Sequence, residues 1–342
     1  MNISEFLNIF KKKKYGYRCK LLNNNLHFTS RNTLDPCCSI NIGPALISDI
    51  SKCDNILSFI ETKQNYIEMF KEGNVPESCK NCISLEKYEI TEKTKREDFR
   101  IKKITLNHYI ACDCACIYCT QGNTTIESIK QNQNTKIYDV KNFIKELYKH
   151  NLIDTFSLYV EVQGGNISCL KDANELLDIF LENGVNKIMV YTNNIAYLPV
   201  IEKILSNKQG GIITSLDCGT AETFYKIKQV DKFDKYIDNL KRYIAVAGND
   251  DIHIKYIIVE NANDNITEFS HFINKMTEIG IKNVFFDVDY RNIIGTETKP
   301  IPKHYKELIS FAEKYCDEKG LKYSIVPYAK ERIEEGHSIA NR

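Results

Sequence analysis

The chain has 342 residues, 43% of them hydrophobic, enough to bury a full core and more than one domain usually takes. Its 46 basic and 45 acidic side chains nearly cancel, which argues against a broad field for nucleic acid or for an anionic membrane surface. Thirteen cysteines with no secretory leader pattern argue against a disulfide scaffold and for a reducing, cytoplasmic setting, and no stretch approaches the roughly 18 uninterrupted apolar residues of a membrane span.

The stretch from Phe6 to Lys20 carries the one strong charge run, Lys11 to Lys14, which reads as a solvated face. Pro36, Gly43 and Pro44 then break the chain, and Ile56 to Lys71 has the spacing of an amphipathic helix. Cysteines surround these elements: Cys37-Cys38, Cys53 and Cys79-Lys-Asn-Cys82. One of the first pair with Cys53, Cys79 and Cys82 gives four thiolates, the number that saturates either a [4Fe-4S] cluster or a tetrahedral zinc ion. Cys19, Cys169, Cys218 and Cys316 have no spacing partner and read as core or surface thiols.

From about Arg100 onward, apolar β-rich runs alternate with helical patterns, the signature of βα units in a parallel sheet or barrel. The strands are expected at Lys103 to Tyr109, Phe156 to Val162, Lys187 to Tyr191, Gly211 to Leu216, His253 to Val259 and Asn283 to Asp289. Helices are expected at Asp139 to His150, Ala173 to Asn183, Leu198 to Leu205, one long stretch from Ala221 to Val246, Ile266 to Ile279 and Lys303 to Lys319. Gly184 and Gly280 stand where helix C-caps belong. Ser324 to Pro327 reads as a last strand and Glu331 to Arg342 as a polar, mobile tail. The expected fold is therefore α/β: a partial (β/α)6 TIM-type barrel over residues 100–342, preceded by a small cysteine-rich α+β domain over residues 1–99.

Barrel active sites sit at the C-terminal ends of the strands, and each remaining motif falls at such an end. Cys112, Cys116 and Cys119 form C-x3-C-x2-C after the first strand. Three thiolates on a short loop hold three irons of a cube and leave the fourth open to a ligand, although a zinc loop uses the same residue types. Cys114 has little backbone slack for a second corner and reads as a small buried thiol. Gln163-Gly164-Gly165-Asn166 follows the second strand, Thr192-Asn193-Asn194 the third and Ser215-Leu216-Asp217 the fourth. Ser215 and Asp217 share a strand face by alternation, and either also suits a helix N-cap. Lys255, Asp287 and Asp289 are charges in apolar strands, which implies ligand contacts or mutual pairing.

The cysteine loop with Tyr118 before its last cysteine, the glycine pair, the Thr-Asn element and the Ser-Leu-Asp element occur in the order that resembles the radical S-adenosylmethionine (SAM) superfamily. The resemblance implies a [4Fe-4S] cluster on Cys112, Cys116 and Cys119 whose open iron chelates SAM. It further implies cofactor contacts from Tyr118, Gly164, Gly165, Asn166, Asn193, Ser215 and Asp217, the two glycines admitting the methionine moiety. Asn166 stands where the superfamily usually has Glu, so it brings no negative charge to the SAM amino group. Gln163 and Glu161 lie on one strand side and are candidates to compensate.

The cysteine, hairpin-like stretch, second cysteine, helix and Cys79-x2-Cys82 together resemble the auxiliary-cluster domains called SPASM or twitch, although here they precede the barrel and lack a full set of seven cysteines. That resemblance implies an auxiliary [4Fe-4S] cluster on Cys37 or Cys38 with Cys53, Cys79 and Cys82. The activity implied is reductive cleavage of SAM to a 5'-deoxyadenosyl radical that abstracts hydrogen from a small polar substrate such as a sugar or glycan precursor, or alternatively from a peptide. An electron donor such as flavodoxin or ferredoxin is implied, with no nucleic acid or membrane partner. A zinc-stabilised binding module without catalysis is the reading of another class.

Overall fold

The computed structural model describes residues 14–37, 45–47, 49–50, 56–91, 99–122, 140–247, 251–289 and 301–335. Cys38, Cys53 and Lys11 to Lys13 lie outside them. By spatial contact the chain forms two units, Met1–His108 with Ile137–Val160, and Tyr109–Lys136 with Glu161–Arg342.

In the first unit, β1 (Tyr15–Cys19) pairs antiparallel with β4 (Leu85–Glu89). The short helix α1 (Lys20–Asn24) leads into β2 (Asn25–Thr29), which pairs antiparallel with β3 (Leu34–Asp35) and parallel with β5 (Lys103–Asn107). Alternation buries Leu26 and Phe28 of β2 and Ile104 and Leu106 of β5 completely. Helix α2 (Ile56–Lys71) occupies the stretch its spacing predicts and buries Ile56, Phe59, Ile67 and Phe70. Phe59 and Phe28 both meet Phe143 of α3 (Lys141–Lys149) edge-on, at 5.5 and 5.8 Å between ring centres.

Strand β6 (Tyr159–Val162) carries the chain into the second unit. There β7 (Lys187–Tyr191), β8 (Gly210–Ser215), β9 (Ile252–Ile258), β10 (Asn283–Val288) and β11 (Lys322–Ile325) lie side by side in chain order, all parallel. Parallel neighbours need a crossover, and helices supply it: α4 (Ala173–Glu182), α5 (Pro199–Ser206), α6 (Ala221–Lys228) with α7 (Phe233–Ala247), α8 (Ile266–Glu278) and α9 (His304–Lys319); α10 (Pro327–Glu335) follows β11.

Strand β9 shows how one face is reserved. Ile252, Ile254, Tyr256 and Ile258 are fully buried, and Tyr256 packs on Phe269 and Phe272 of α8 with ring centres 4.6 and 4.8 Å away. The intervening Lys255 and Ile257 point the other way, as a period of two requires.

Three expectations change. The strand expected from Phe156 starts at Tyr159, because residues 155–157 turn and leave Phe156 exposed. The single long helix from Ala221 to Val246 is two helices: Gln229 takes the left-handed conformation (φ 58°), its N–H closes on Tyr225 O at 2.9 Å, and the chain restarts as α7. The expected tail begins as helix α10 rather than as irregular chain. Among the described residues no helix is long and apolar enough to cross a membrane.

Phe272 is fully buried and touches both Tyr256 and Phe286. Phe272→Ala should lower unfolding free energy by ~3–5 kcal/mol in an equilibrium denaturant titration; a loss below ~1 kcal/mol would mean that this layer is not core.

Candidate functional site

The cysteine loop is held from two sides, entirely within the second unit. On one side Gly165 N–H donates to Tyr109 O at 3.2 Å and Asn166 N–H to Ala111 O at 2.7 Å. On the other, the C-terminal carbonyls of α6 accept from the loop: Ala115 N–H reaches Lys228 O at 3.1 Å and Ile117 N–H reaches Ile227 O at 2.9 Å. The last carbonyls of a helix have no partner within it. The break at Gln229 is what exposes these two to the loop.

A cavity of about 400 Å³ adjoins the loop, lined by Cys112, Cys116 and Cys119 together with Gly164, Tyr191, Asn193, Ser215, Lys255 and Asp287. That volume is within the range of small-molecule and cofactor sites. Strand alternation selects the lining: Ser215 and Lys255 face the cavity, whereas Thr214 accepts a hydrogen bond from Tyr236 OH at 3.0 Å and Tyr256 faces α8.

The motif residues divide into those that face the cavity and those that build its wall. Gly164 lines it with φ 109°. Gly165 also borders it, but a Cβ there would fall 2.0 Å from Ala111 O, so the approach of the cysteine loop already demands glycine. Asn166 is 1% exposed and does not line the cavity. Its Nδ2 stands 3.0 Å from Asp113 Oδ1, 2.6 Å from Ser168 Oγ and 2.7 Å from Asn193 Oδ1, and its Oδ1 accepts from Thr192 OH at 3.0 Å. Asn166 thus ties the cysteine loop to the end of β7. Asn193 Nδ2 reaches Asp113 Oδ1 at 2.5 Å, Cys114 Sγ at 3.3 Å and Cys112 Sγ at 3.7 Å. Glu161 accepts from Gln163 Nε2 at 3.1 Å, on the shared side that alternation predicts.

Asp217 is fully buried at φ 65° and lies off the cavity. It is not a helix cap; Thr220 caps α6 by accepting from Thr223 N–H. Instead Asp217 Oδ1 accepts from Ile257 N–H at 2.8 Å, and Oδ2 accepts from Tyr118 OH at 2.6 Å and from Lys228 Nζ at 2.5 Å. Lys228 Nζ also donates to Tyr118 OH at 2.6 Å. Asn263 closes the group, donating from Nδ2 to Asp217 O at 2.8 Å and accepting from Val259 N–H at 2.7 Å. Burial pulls the Lys228 ammonium down, but the Asp217 carboxylate, Tyr118 and Cys116 outweigh it and hold it well above the usual lysine range. Burial, and then Asp217, push the Tyr118 hydroxyl up. Lys228 carried no signal in the sequence, since a lysine in a helix ordinarily marks its solvent face.

Cys114 is 1% exposed, yet it also borders the cavity beside Cys112 and Cys116. It also hydrogen-bonds the sulfurs of Cys112 and Cys116, and these bonds, with burial, raise its thiol well above the usual range. Cys116 is brought down to about 7, first by the Cys114 bond, with burial opposing and the Lys228 ammonium assisting. Lys255 Nζ pairs with Asp287 Oδ2 at 2.9 Å at the cavity wall; Asp289, buried at the end of β10, does not line it.

In the first unit, Cys19, Cys37, Cys79 and Cys82 line one small cavity of about 30 Å³, walled by Leu22, Phe70 and Leu85. Cys19 had no sequence partner. The β1–β4 register, with Cys19 opposite Leu85, brings it beside the Cys79–Cys82 turn. Burial is the main cause of the raised Cys19 and Cys79 thiols. Among the described residues no three His, Cys, Asp or Glu side chains are gathered closely enough for one shared ion. A four-iron cube gives each thiolate its own iron and so takes sulfurs set further apart.

No family model matches the chain, and no curated protein matches it. Among solved structures, Streptococcus suis SuiB aligns over 84% of this chain and 57% of its own, at 16% identity and a TM-score of 0.50. SuiB bound to S-adenosylmethionine aligns over 78% and 56%, at 16% identity and 0.51; SuiB bound to precursor peptide SuiA aligns over 84% and 58%, at 15% identity and 0.51. The class this defines is an α/β fold, built on a parallel sheet, shared with SuiB. The chain spans a little over half of SuiB's length.

Asn166→Ala leaves the Thr192 hydroxyl and the Asp113 and Asn193 side chains each short of a buried partner. It should cost ~2–3 kcal/mol of stability in urea unfolding; a change within ~0.5 kcal/mol, the range of an ordinary surface substitution, would contradict the tie described above.

Proposed function

We propose that this chain is a radical SAM enzyme: Cys112, Cys116 and Cys119 hold three irons of a [4Fe-4S] cluster, and SAM completes the fourth in the adjoining cavity. The observation that carries this reading is the coincidence of the C-x3-C-x2-C thiols with a cofactor-sized cavity bordered by strand-end residues of a parallel sheet. The donor set fits, being three thiols on one short loop held by backbone bonds from both sides. Structures of SuiB with S-adenosylmethionine add support through the shared fold.

When bound, the cluster and SAM supply reductive cleavage of the sulfonium and hydrogen abstraction by a 5'-deoxyadenosyl radical. The chain's own residues bind, orient and exclude water. Gly164, Asn193 and Ser215 offer contacts from the strand ends, and Tyr118 offers an aromatic face beside Cys119. Gly165, Asn166 and Asp217 act on the loop and its anchor, so their cofactor role is positioning. Lys255 and Asp287 present charge to the substrate end of the cavity.

The barrel of this reading spans residues 100–342 and the cysteine-rich domain residues 1–99. In the latter this reading assigns an auxiliary [4Fe-4S] cluster to Cys19, Cys37, Cys79 and Cys82, supported by the one cavity they share, with Cys19 taken as the fourth ligand in place of Cys53, which lies outside the described residues. The setting is cytoplasmic, with an electron donor such as flavodoxin or ferredoxin. A small polar substrate suits the charged cavity wall. A peptide substrate is the second reading, favoured by the SuiB structure with precursor peptide SuiA.

Anaerobically purified protein should contain iron and acid-labile sulfide and, with reductant and SAM, release 5'-deoxyadenosine. Cys112→Ala/Cys116→Ala/Cys119→Ala should abolish that release and keep only the iron of the first unit. Zinc without iron or sulfide would contradict the enzyme reading in favour of a zinc-stabilised module. Turnover stimulated only by peptides would select the second substrate class.

A further inference from the structure

Helix α6 ends in a buried ion pair that contacts the cysteine loop. Lys228 and Asp217 have side chains 3% and 0% exposed, and removing two charges from water is expensive. A pair of apolar residues would fill this position at lower desolvation cost. Its setting is asymmetric. Lys228 lines the cavity shared with Cys112, Cys116 and Cys119, whereas Asp217 lies behind it, bonded to Ile257 N–H. Lys228, the positive member of the pair, is therefore the one that borders the cavity with the cysteines.

The same helix end fixes the loop mechanically. The carbonyls of Ile227 and Lys228 accept from Ile117 and Ala115, the residues flanking Cys116. The Lys228 ammonium lies 4.9 Å from the Tyr118 ring centre and donates to its hydroxyl. Tyr118 stands between Cys116 and Cys119, so one residue, Lys228, touches the loop through both its backbone and its side chain.

We propose that Lys228, oriented by Asp217, is a positioning residue that sets the reduction potential of the cluster on this loop, its buried cation favouring the reduced and more negative state. The inference rests on the cluster reading above. A fixed charge beside a cluster, in a site partly shut off from water, acts on its potential because the electron added on reduction is stabilised by positive and opposed by negative neighbours.

The test is an EPR-monitored redox titration of reconstituted protein, scored alongside iron and sulfide content. Lys228→Met should move the midpoint potential of the loop cluster to more negative values at undiminished iron content, and Lys228→Arg should restore it. Asp217→Asn should move it the opposite way. Should Lys228→Met misfold because Asp217 is left unpaired, Lys228→Met/Asp217→Asn removes both charges; its potential should lie below wild type and above the single lysine variant. A purely structural pair would move the lysine and aspartate variants alike or not at all, and that result, or a double variant at the wild-type potential, overturns the inference alone. A wild type that binds no iron overturns the cluster reading and this inference together.

Discussion

The end of helix α6 is where the second unit's site is made, through one buried group of three side chains and two backbone carbonyls. Tyr118, Asp217 and Lys228 share short hydrogen bonds away from water, and the carbonyls of Ile227 and Lys228 receive the loop's N–H groups. Deleting one partner of such a pair leaves a buried charge and typically costs ~3–5 kcal/mol. The loop cannot leave its place without that loss, so its cysteines keep their position at the cavity. This is preorganisation, the condition under which a site binds without first ordering its own chain.

The sheet supplies the second constraint. A period of two sends Ile252, Ile254, Tyr256 and Ile258 toward the helices and leaves Lys255 and Ile257 for the cavity. Aromatic packing of Tyr256, Phe269, Phe272 and Phe286 holds that register, because a slip of one residue would send every buried side chain to the wrong face. The polar wall of Ser215, Lys255 and Asp287 is thus a consequence of apolar packing on the opposite face.

Local periodicity made the strands and most helices of the second unit legible, to within a few residues at their ends, and the spacing of Cys112, Cys116 and Cys119 made the loop legible. What escaped depends on contacts between residues distant in sequence. The break at Gln229 is made by a left-handed residue that is neither glycine nor asparagine, so no turn residue announces it. Lys228 becomes a buried partner only because Asp217, just after β8, and Tyr118, in the cysteine loop, come to it. Gly165 borders the cavity, but the neighbour that demands glycine there is Ala111, more than fifty residues earlier in the chain. Cys19 joins Cys37, Cys79 and Cys82 through antiparallel pairing of β1 with β4, which spacing along the chain does not encode.

The central claim is that three cysteines leave one iron without a protein donor, and that SAM occupies it while Cys114 does not. Pulsed electron–nuclear double resonance on the reduced protein, with SAM carrying 15N in its amino group and 17O in its carboxylate, tests this directly. The account predicts hyperfine coupling of both labels to the loop cluster. A fully loaded cluster showing neither coupling, with the label signals recovered only in Cys114→Ala, would contradict it, since the fourth corner would then belong to the protein.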